Sequence, residues 1–318
     1  MEVYYDGGVV VQQESFKILL DPRRIPSFKP DVVVISHAHR DHYNLKVLRS
    51  FPEVPKIMSH ATRHLIDKRK ILKNVIEVSP GDQVDFHNFS TKVYNAGHVL
   101  GSLQVELVIG NKRVVFTGDF NLQARIILRP AEIIKSDILI IEATYGHPRY
   151  KFPSRVSVYR QILELIKNNL EEATIFGRHL GTAQELTALL AFSKIGVLPI
   201  VHPYIAKVNK IYEMYGENLG TYRVYQYEKS SNNGPVIMPL TGKIMRREPN
   251  SQSVVCTGWA AGIGKRNYVP LSSHADFEQI IQYIIESSAE KIYTVYGFSD
   301  FLANFLKHEY GIDAESIQ

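Results

Sequence analysis

The chain has little cysteine and no long hydrophobic run, and each absence excludes a class of protein. The single cysteine, Cys256, excludes an internal disulfide and a cysteine-built zinc site, so a transition metal would have to bind histidine and carboxylate side chains. No stretch approaches the roughly 20 apolar residues that a membrane span needs. The opening residues, MEVYYDGG, have neither a basic leader nor a hydrophobic signal core. We therefore expect a cytoplasmic protein without a membrane partner.

Charge of one sign is not in large excess either. Lys and Arg number 37 against 32 Asp and Glu, which gives a formal charge of +5 and a pI near 9.0. This balance permits a polyanionic partner such as nucleic acid, but many proteins of similar charge bind none. The 318 residues suffice for one large core or two domains. The sequence leaves the oligomeric state open.

Histidine, by contrast, is concentrated in one place. Residues 32–42 spell VVVISHAHRDH, and the β-branched run at 32–35 predicts a buried strand. Four potential metal ligands follow this strand directly, namely His37, His39, Asp41 and His42. Ligands commonly bind at the carboxyl edge of open sheets. The segment therefore predicts a metal site that needs further ligands.

Two later segments offer those ligands. NAGHVLGS provides His98 in a glycine-rich turn, and VVFTGDF provides Asp119 behind another apolar strand. A hydrolytic zinc site needs several fixed nitrogen or oxygen ligands and one position left for water, whose pKa the metal lowers to about 7. The strand-end placement of both residues makes them the best candidates. We interpret seven other histidines as surface or core residues: His60, His64, His87, His147, His179, His202 and His308.

The segments SHAHRDH, NAGHVLGS and TGDF resemble the metal motifs of the metallo-β-lactamase superfamily. Asp21 in ILLDP fits the early structural aspartate of that superfamily. The resemblance implies an αββα sandwich of two sheets with the metals at one edge. It also implies a ligand set, which is His37, His39 and His98 for one metal, Asp41 and His42 for the start of the second, and Asp119 as the bridge. The superfamily contains many hydrolases, so the resemblance alone does not choose a substrate.

Segments in the second half of the chain indicate one family within this superfamily. IEATYGHPRY, GRHLGTAQELTALL, CTGW and LSSHADF resemble, in order, landmarks of the β-CASP nucleases within that superfamily. Alternating helix and strand patterns indicate an inserted α/β segment. We expect an α/β fold, an αββα metallo-β-lactamase sandwich with an inserted α/β β-CASP domain. The expected domains are 1–148 (first part of the sandwich), 149–245 (insertion) and 246–318 (closing part). Within the first part, residues 60–73 predict a helix with one solvated face.

The resemblance assigns catalytic roles to Glu142 and His274, with Asp41 serving the metals. Glu142 ends the apolar run of DILIIEATYG, and His274 lies in LSSHADF. Hydrolysis of a phosphodiester requires a proton for the departing alkoxide. A carboxylate neighbour favours imidazolium, so His274 would be the general acid and Glu142 would orient or charge it. Two alternatives remain open, namely His274 as a metal ligand or as a turn-stabilising residue.

Four residues are candidates for binding nucleic acid. A helix that begins near Thr182 would offer backbone N–H groups to a phosphate, and Arg178 lies just before it, although an ordinary helix cap explains this segment equally well. GIGKR, residues 262–266, places Lys265 and Arg266 in a flexible turn. We expect these two side chains to contact backbone phosphates.

One position departs from the family pattern. RNA-processing β-CASP enzymes typically carry a final histidine in a Val-His-Gly context that completes the second metal site, whereas this chain has Tyr296 in TVYGF. A neutral phenol is a poor zinc ligand. We therefore expect one tightly bound zinc and a weaker second metal, with manganese as an alternative ion there.

The substrate signals conflict. DNA-processing members also lack that histidine, and TGW around Trp259 resembles them and the bacterial ligase-associated DNA exonucleases, which generally keep the histidine. We favour a DNA exonuclease slightly over an RNA 3'-end processing nuclease of the same family. A small-molecule hydrolase such as a thioesterase is a further alternative, against which the insertion and the basic turn argue. A binding subunit with a decayed site is disfavoured by the intact ligand cluster.

Overall fold

The computed structural model describes residues 1–226, 233–241 and 253–317, and the chain divides into two compact units. Unit 1 comprises Met1–Leu122, Pro130–Pro148 and His274–Gln318, and unit 2 comprises Gln123–Arg129 and Arg149–Ser273. The domain boundary expected between residues 245 and 246 lies outside the described residues.

The secondary structure alternates strands and helices along most of the chain. The helices of the described residues are α1 (Leu45–Ser50), α2 (His60–Ile66), α3 (Arg155–Ile166), α4 (Thr182–Phe192), α5 (Pro203–Met214), α6 (Phe277–Ser287) and α7 (Ser299–Tyr310). The strands are β1 (Glu2–Tyr5), β2 (Val9–Gln13), β3 (Phe16–Leu20), β4 (Val32–Val34), β5 (Lys56–Ser59), β6 (Val75–Val78), β7 (Gln83–Asp85), β8 (Ser90–Asn95), β9 (Leu103–Ile109), β10 (Lys112–Phe116), β11 (Ile138–Glu142), β12 (Thr174–Gly177), β13 (Ile200–Val201), β14 (Arg223–Val224), β15 (Val236–Pro239), β16 (Ser253–Cys256), β17 (Tyr268–Val269), β18 (Lys291–Val295) and β19 (Ala314–Ser316).

Unit 1 contains two sheets that share one core. The first sheet has the strand order β1-β2-β3-β4-β5-β6, and the second has the order β19-β18-β11-β10-β9-β8-β7. Side chains of β10 point alternately to the two faces of the second sheet. Val114 and Phe116 join the core shared with the first sheet. Val115 packs with Ile280 and Ile284 of α6. Helices α6 and α7 thus cover the outer face of the second sheet, and α2 packs on β5 and β6. The expected αββα sandwich is confirmed.

Unit 2 is an α/β unit with a parallel sheet. Its strand order is β14-β13-β15-β12-β16-β17, and the neighbouring strands all run parallel. Parallel sheets need cover on both faces, and residues of α3, α4 and α5 share a core with the strands, among them Ile162, Leu186 and Ile205. This confirms the expected inserted α/β fold. Residues 253–273, which the sequence analysis grouped with the closing part of the sandwich, belong to unit 2 because β16 pairs with β12.

The helix predicted over residues 60–73 is wrong beyond Ile66, where α2 ends. The carboxylate of Asp67 accepts hydrogen bonds from the backbone N–H groups of Ile71 (2.8 Å) and Leu72 (3.0 Å). An aspartate side chain that bonds nearby amides competes with the helical hydrogen bonds and favours a turn. Among the described residues, none of the helices is long and apolar enough to cross a membrane.

Candidate metal centre

The loop after β4 is fixed by a carboxylate from the neighbouring strand. Asp21 directly follows β3, which pairs in parallel with β4, and its carboxylate accepts hydrogen bonds from the Ser36 N–H (2.7 Å) and hydroxyl (2.6 Å). The Ser36 hydroxyl also lies 2.9 Å from Nδ1 of His37. Such a hydrogen bond fixes the ring orientation and leaves the other ring nitrogen for a ligand role.

Three buried imidazoles converge at the end of this loop. Nδ1 of His39 lies 3.1 Å from Nε2 of His37 and 2.9 Å from Nε2 of His98. His98 follows Gly97, where a Cβ would lie 2.6 Å from the carbonyl oxygen of Asn121, so this turn requires glycine. Three ring nitrogens that meet in this way suit a single shared cation, which would accept all three lone pairs.

Asp119 lies beside these nitrogens. Its Oδ2 is 3.2 Å from Nε2 of His42, 3.4 Å from Nε2 of His37 and 3.5 Å from Nε2 of His98. Its Oδ1 is buried without a hydrogen-bond partner among the described residues. Burial opposes ionisation of Asp119, but the charges of His42, His274 and His37 hold the pKa of this carboxyl well below its usual range. A buried carboxylate with an unsatisfied oxygen amid imidazoles fits a divalent cation.

His42 connects two carboxylates. Its Nδ1 lies 2.8 Å from Oδ2 of Asp21, and its Nε2 faces Asp119. Burial lowers the pKa of His42, but Asp119 and Asp21 raise it well above its usual value in the metal-free chain. The ring of Tyr296 lies edge-on to that of His42, with the centroids 4.9 Å apart. Burial, Asp21 and Asp119 raise the pKa of Tyr296 well above that of an ordinary phenol, so the side chain beside His42 is a neutral hydroxyl.

A second group of side chains adjoins Asp119. Nδ1 of His274 lies 3.0 Å and 3.2 Å from the two carboxylate oxygens of Glu142, and 3.7 Å from Oδ2 of Asp119. Glu142 ends β11 and accepts a hydrogen bond from the Phe120 N–H (3.0 Å). The backbone carbonyl of His274 accepts a hydrogen bond from Asn121 (2.8 Å). His274 is buried, with 8% exposure.

The structure therefore brings together most of the predicted site residues. Candidate ligand atoms within 4.8 Å of one another form three groups among the described residues, which are His37, His39, His98 and Asp119; Asp21, His37 and His42; and Asp119, Glu142 and His274. Asp41 is exposed and belongs to none of these groups. The sequence analysis missed Ser36, whose only signal is its position directly before the histidine cluster.

Two backbone N–H groups at the start of α4 donate hydrogen bonds to groups of the same segment. Thr182 is its first residue and is buried, and Arg178 is half-buried. The Gly181 N–H donates to the side chain of Gln184 (2.7 Å), and the Ala183 N–H donates to the carbonyl of Arg178 (3.0 Å). Both amides are thus engaged within the chain.

The turn over residues 262–266 lies at the surface. All five residues, including Lys265 and Arg266, are exposed. The carbonyl of Lys265 accepts a hydrogen bond from the Tyr268 N–H (3.0 Å), which ties the turn to β17. Both basic side chains are therefore accessible from solvent.

Comparison with known proteins identifies the family. A sequence model described as the metallo-beta-lactamase superfamily matches residues 5–178, more than half of the chain. The chain belongs to the metallo-β-lactamase superfamily. This membership confirms the expectation drawn from the SHAHRDH, NAGHVLGS and TGDF segments, whose histidines and Asp119 form the cluster described above.

Curated relatives have names that refer to DNA or to RNA. The chain is 28% identical over 297 residues to a "Probable DNA ligase" of Opitutus terrae, covering 89% of this chain and 28% of the relative. It is 30% identical over 183 residues to an "RNase J-like protein" of Methanocaldococcus jannaschii, covering 50% of this chain and 43% of the relative. It is also 25% identical over 224 residues to "RNase aCSPSF2" of Saccharolobus solfataricus, covering 58% of this chain and 44% of the relative. The chain thus spans less than half the length of these relatives.

A solved structure shows the same fold. A protein of unknown function from Enterococcus faecalis aligns with a TM-score of 0.66 over 99% of this chain and 97% of its own, at 12% sequence identity. At this sequence identity the likeness is one of fold.

Proposed function

We propose that this protein is a metal-dependent nuclease that hydrolyses phosphodiester bonds of DNA or RNA. The observation that carries the proposal is the placement of the Glu142–His274 pair next to Asp119, whose Oδ2 also faces three further histidines. An acid–base pair beside a candidate metal site provides what cleavage of a phosphodiester requires. Relatives named as RNases support the choice of nucleic acid.

Each side chain then has a defined task. His37, His39 and His98 would hold one divalent ion, Asp119 would be shared, and His42 with Asp41 would begin the second site. A divalent ion bound there would supply the Lewis acidity that activates water and offsets charge on the phosphate.

The general acid is His274. Because Nδ1 of its ring faces Glu142, Nε2 is the nitrogen that can hold a proton for the departing alkoxide. Phe120 fixes Glu142 through its N–H, so the carboxylate keeps the ring in one orientation. Arg178, Thr182, Lys265 and Arg266 would bind the substrate backbone in this proposal.

Zinc is the proposed metal, tightly bound at one position and more weakly, with manganese as an alternative, at the second. We favour a DNA exonuclease slightly, because Tyr296 stands where RNA-processing members carry histidine. The match over 89% of the chain to a protein named as a DNA ligase supports the same choice. The cytoplasmic location stays a prediction.

The decisive experiment uses metal-loaded protein and single-stranded RNA and DNA of the same sequence, each labelled at either end. We expect metal-dependent shortening that a chelator stops and that an Asp119→Asn variant does not show. Loss of label as mononucleotides would indicate an exonuclease, and the labelled end that is released first would give the polarity. If both strands stay intact while the same preparation hydrolyses a thioester, the nuclease proposal is wrong.

A further inference from the structure

Trp259 is the only tryptophan in the chain, and it lies at the surface. Its side chain is 40% exposed and sits in the short 3₁₀ turn Gly258–Gly262, directly after β16 of unit 2. A large aromatic side chain is usually buried to a greater extent. Core packing therefore does not explain the position of this side chain.

The indole of Trp259 contacts an aromatic neighbour. The ring of Tyr150 is nearly perpendicular to it, at 88°, with the centroids 5.3 Å apart, which is a favourable edge-to-face arrangement. Tyr150 is itself only 6% exposed, so the surrounding residues fix the position of its ring. The guanidinium of Arg149 lies 5.1 Å from the centroid of the Tyr150 ring, and it adds positive charge beside the pair.

Basic residues follow Trp259 closely in the sequence. The exposed turn of residues 262–266 follows the 3₁₀ turn directly and carries Lys265 and Arg266. Gly264 in this turn has a φ of +67°, a conformation that glycine adopts most readily. Strand-binding surfaces combine an aromatic ring on which a base stacks with cations that follow the phosphate backbone. Trp259 and the basic turn provide both parts within eight residues of one another.

We propose that Trp259 is a base-stacking platform for a single-stranded nucleic acid, whose phosphates bind Lys265 and Arg266. This inference rests on the proposed nuclease function and adds a substrate-binding subsite in unit 2. Every base has a planar π face, so such a platform holds a strand with little sequence preference. A duplex presents its bases already stacked, and we expect it to bind this subsite less well.

The single tryptophan allows a direct test of stacking. Metal-free wild-type protein, which should not cut the strand, is titrated with a single-stranded oligonucleotide while tryptophan emission is excited where tyrosine does not absorb. We expect the emission of Trp259 to be quenched at saturation. A strand of equal length and charge in which abasic sugars replace the bases should bind through its phosphates without this quenching.

Variants separate the ring from the charges. Trp259→Leu keeps an apolar side chain but removes the planar ring, and we expect oligonucleotide affinity, followed by anisotropy of a labelled strand, to fall roughly 5- to 100-fold. Trp259→Phe should retain most of the affinity. Phe192, an exposed aromatic elsewhere in unit 2 with 49% exposure, provides a matched control, because Phe192→Leu should leave affinity unchanged.

Three results would overturn the platform. They are equal quenching by the abasic strand, unchanged affinity of Trp259→Leu, and equal losses for Trp259→Leu and Phe192→Leu. The failure of the platform is distinguishable from failure of the nuclease proposal. Wild-type protein that cleaves strands without quenching would refute the platform alone, whereas quenching without metal-dependent cleavage would refute the nuclease alone.

Discussion

Glu142 and His274 lie 132 positions apart in the sequence, yet both carboxylate oxygens of Glu142 lie within 3.2 Å of Nδ1 of His274. The buried carboxylate lies on the Nδ1 side of the ring, so Nε2 is directed away from it. This orientation is the one that the proposed proton donor requires.

Replacing His274 should slow the reaction in a way that depends on the leaving group. If the imidazole protonates the departing alkoxide, His274→Ala should slow cleavage of a natural phosphodiester by roughly 10²–10⁴-fold. A p-nitrophenolate leaving group needs little protonation, so the same variant should lose much less on bis(p-nitrophenyl) phosphate. Glu142→Gln should show a milder form of the same pattern. Equal losses on both substrates, together with reduced metal content, would make His274 a ligand instead.

Tyr296 should limit occupancy of the second metal position. We expect elemental analysis after mild chelation to find about one zinc per chain, retained by His37, His39 and His98. Tyr296→His places an imidazole next to His42 and should raise the retained metal towards two per chain. Tyr296→Phe, which removes only the hydroxyl, should leave the content at one. Two retained zincs in the wild type would show that another side chain already completes the second site.

Asp41 and Asp119 should both be required for cleavage but differ in their structural effects. Asp41→Ala should abolish activity, because Asp41 is proposed to bind the second metal. Asp41 is exposed, so the melting temperature of the metal-free variant should be unchanged. Asp119 is buried between histidines, so Asp119→Asn should change both activity and the melting temperature. Both variants should keep their affinity for a single strand. Full activity of Asp41→Ala would remove Asp41 from the metal site.

The basic turn should control the salt dependence of binding. The double variant Lys265→Ala, Arg266→Ala should weaken strand binding and lower the slope of log Kd against log salt by about 0.7 for each phosphate that the protein no longer neutralises. The matched control is Lys68→Ala with Arg69→Ala, which removes two exposed basic residues of unit 1 and should leave the slope unchanged. An unaltered slope in the first variant would show that the turn does not bind phosphates.

Breaking a buried ion cluster should destabilise unit 2. Glu185 of α4 lies 3.4 Å from both Arg125 and Arg155 and accepts a hydrogen bond from the Tyr159 hydroxyl (2.5 Å). Removing the carboxylate leaves buried cations without their counter-charge, so Glu185→Gln should destabilise unit 2 by about 3–5 kcal/mol. Urea unfolding followed by the emission of Trp259, which lies in this unit, measures the loss. Glu171→Gln, at an exposed position, should change stability by less than about 0.5 kcal/mol.

The sequence indicates the cluster of candidate ligands because its signal is local. His37, His39 and His42 follow one strand within six residues, and their chemistry is unusual enough to stand out. Apolar runs followed by polar residues indicate the strand ends that carry His98, Asp119 and Glu142. Relationships between distant positions carry no such signal, and the pairing of Ser36 with Asp21 across 15 residues emerged only from the structure.

The errors have equally physical causes. Residues 60–73 have helical periodicity, but the side chain of Asp67 bonds two later amides and ends the helix. Residues 253–273 contain strand patterns that fit either unit, and sequence periodicity does not say which sheet a strand joins. The parallel pairing of β16 with β12 decides it. Tertiary structure thus determined what local patterns left open.

The position of His274 in the chain has a consequence for synthesis. It is the first residue of the segment that returns to unit 1, and it follows the whole of unit 2. Asp119 and Glu142 leave the ribosome long before it, and the β11 edge that later pairs with β18 stays open until the same returning segment arrives. Under the proposed function, a nascent chain would carry the candidate metal ligands but not the proposed proton donor. The order of residues would then delay activity until unit 2 has been made in full.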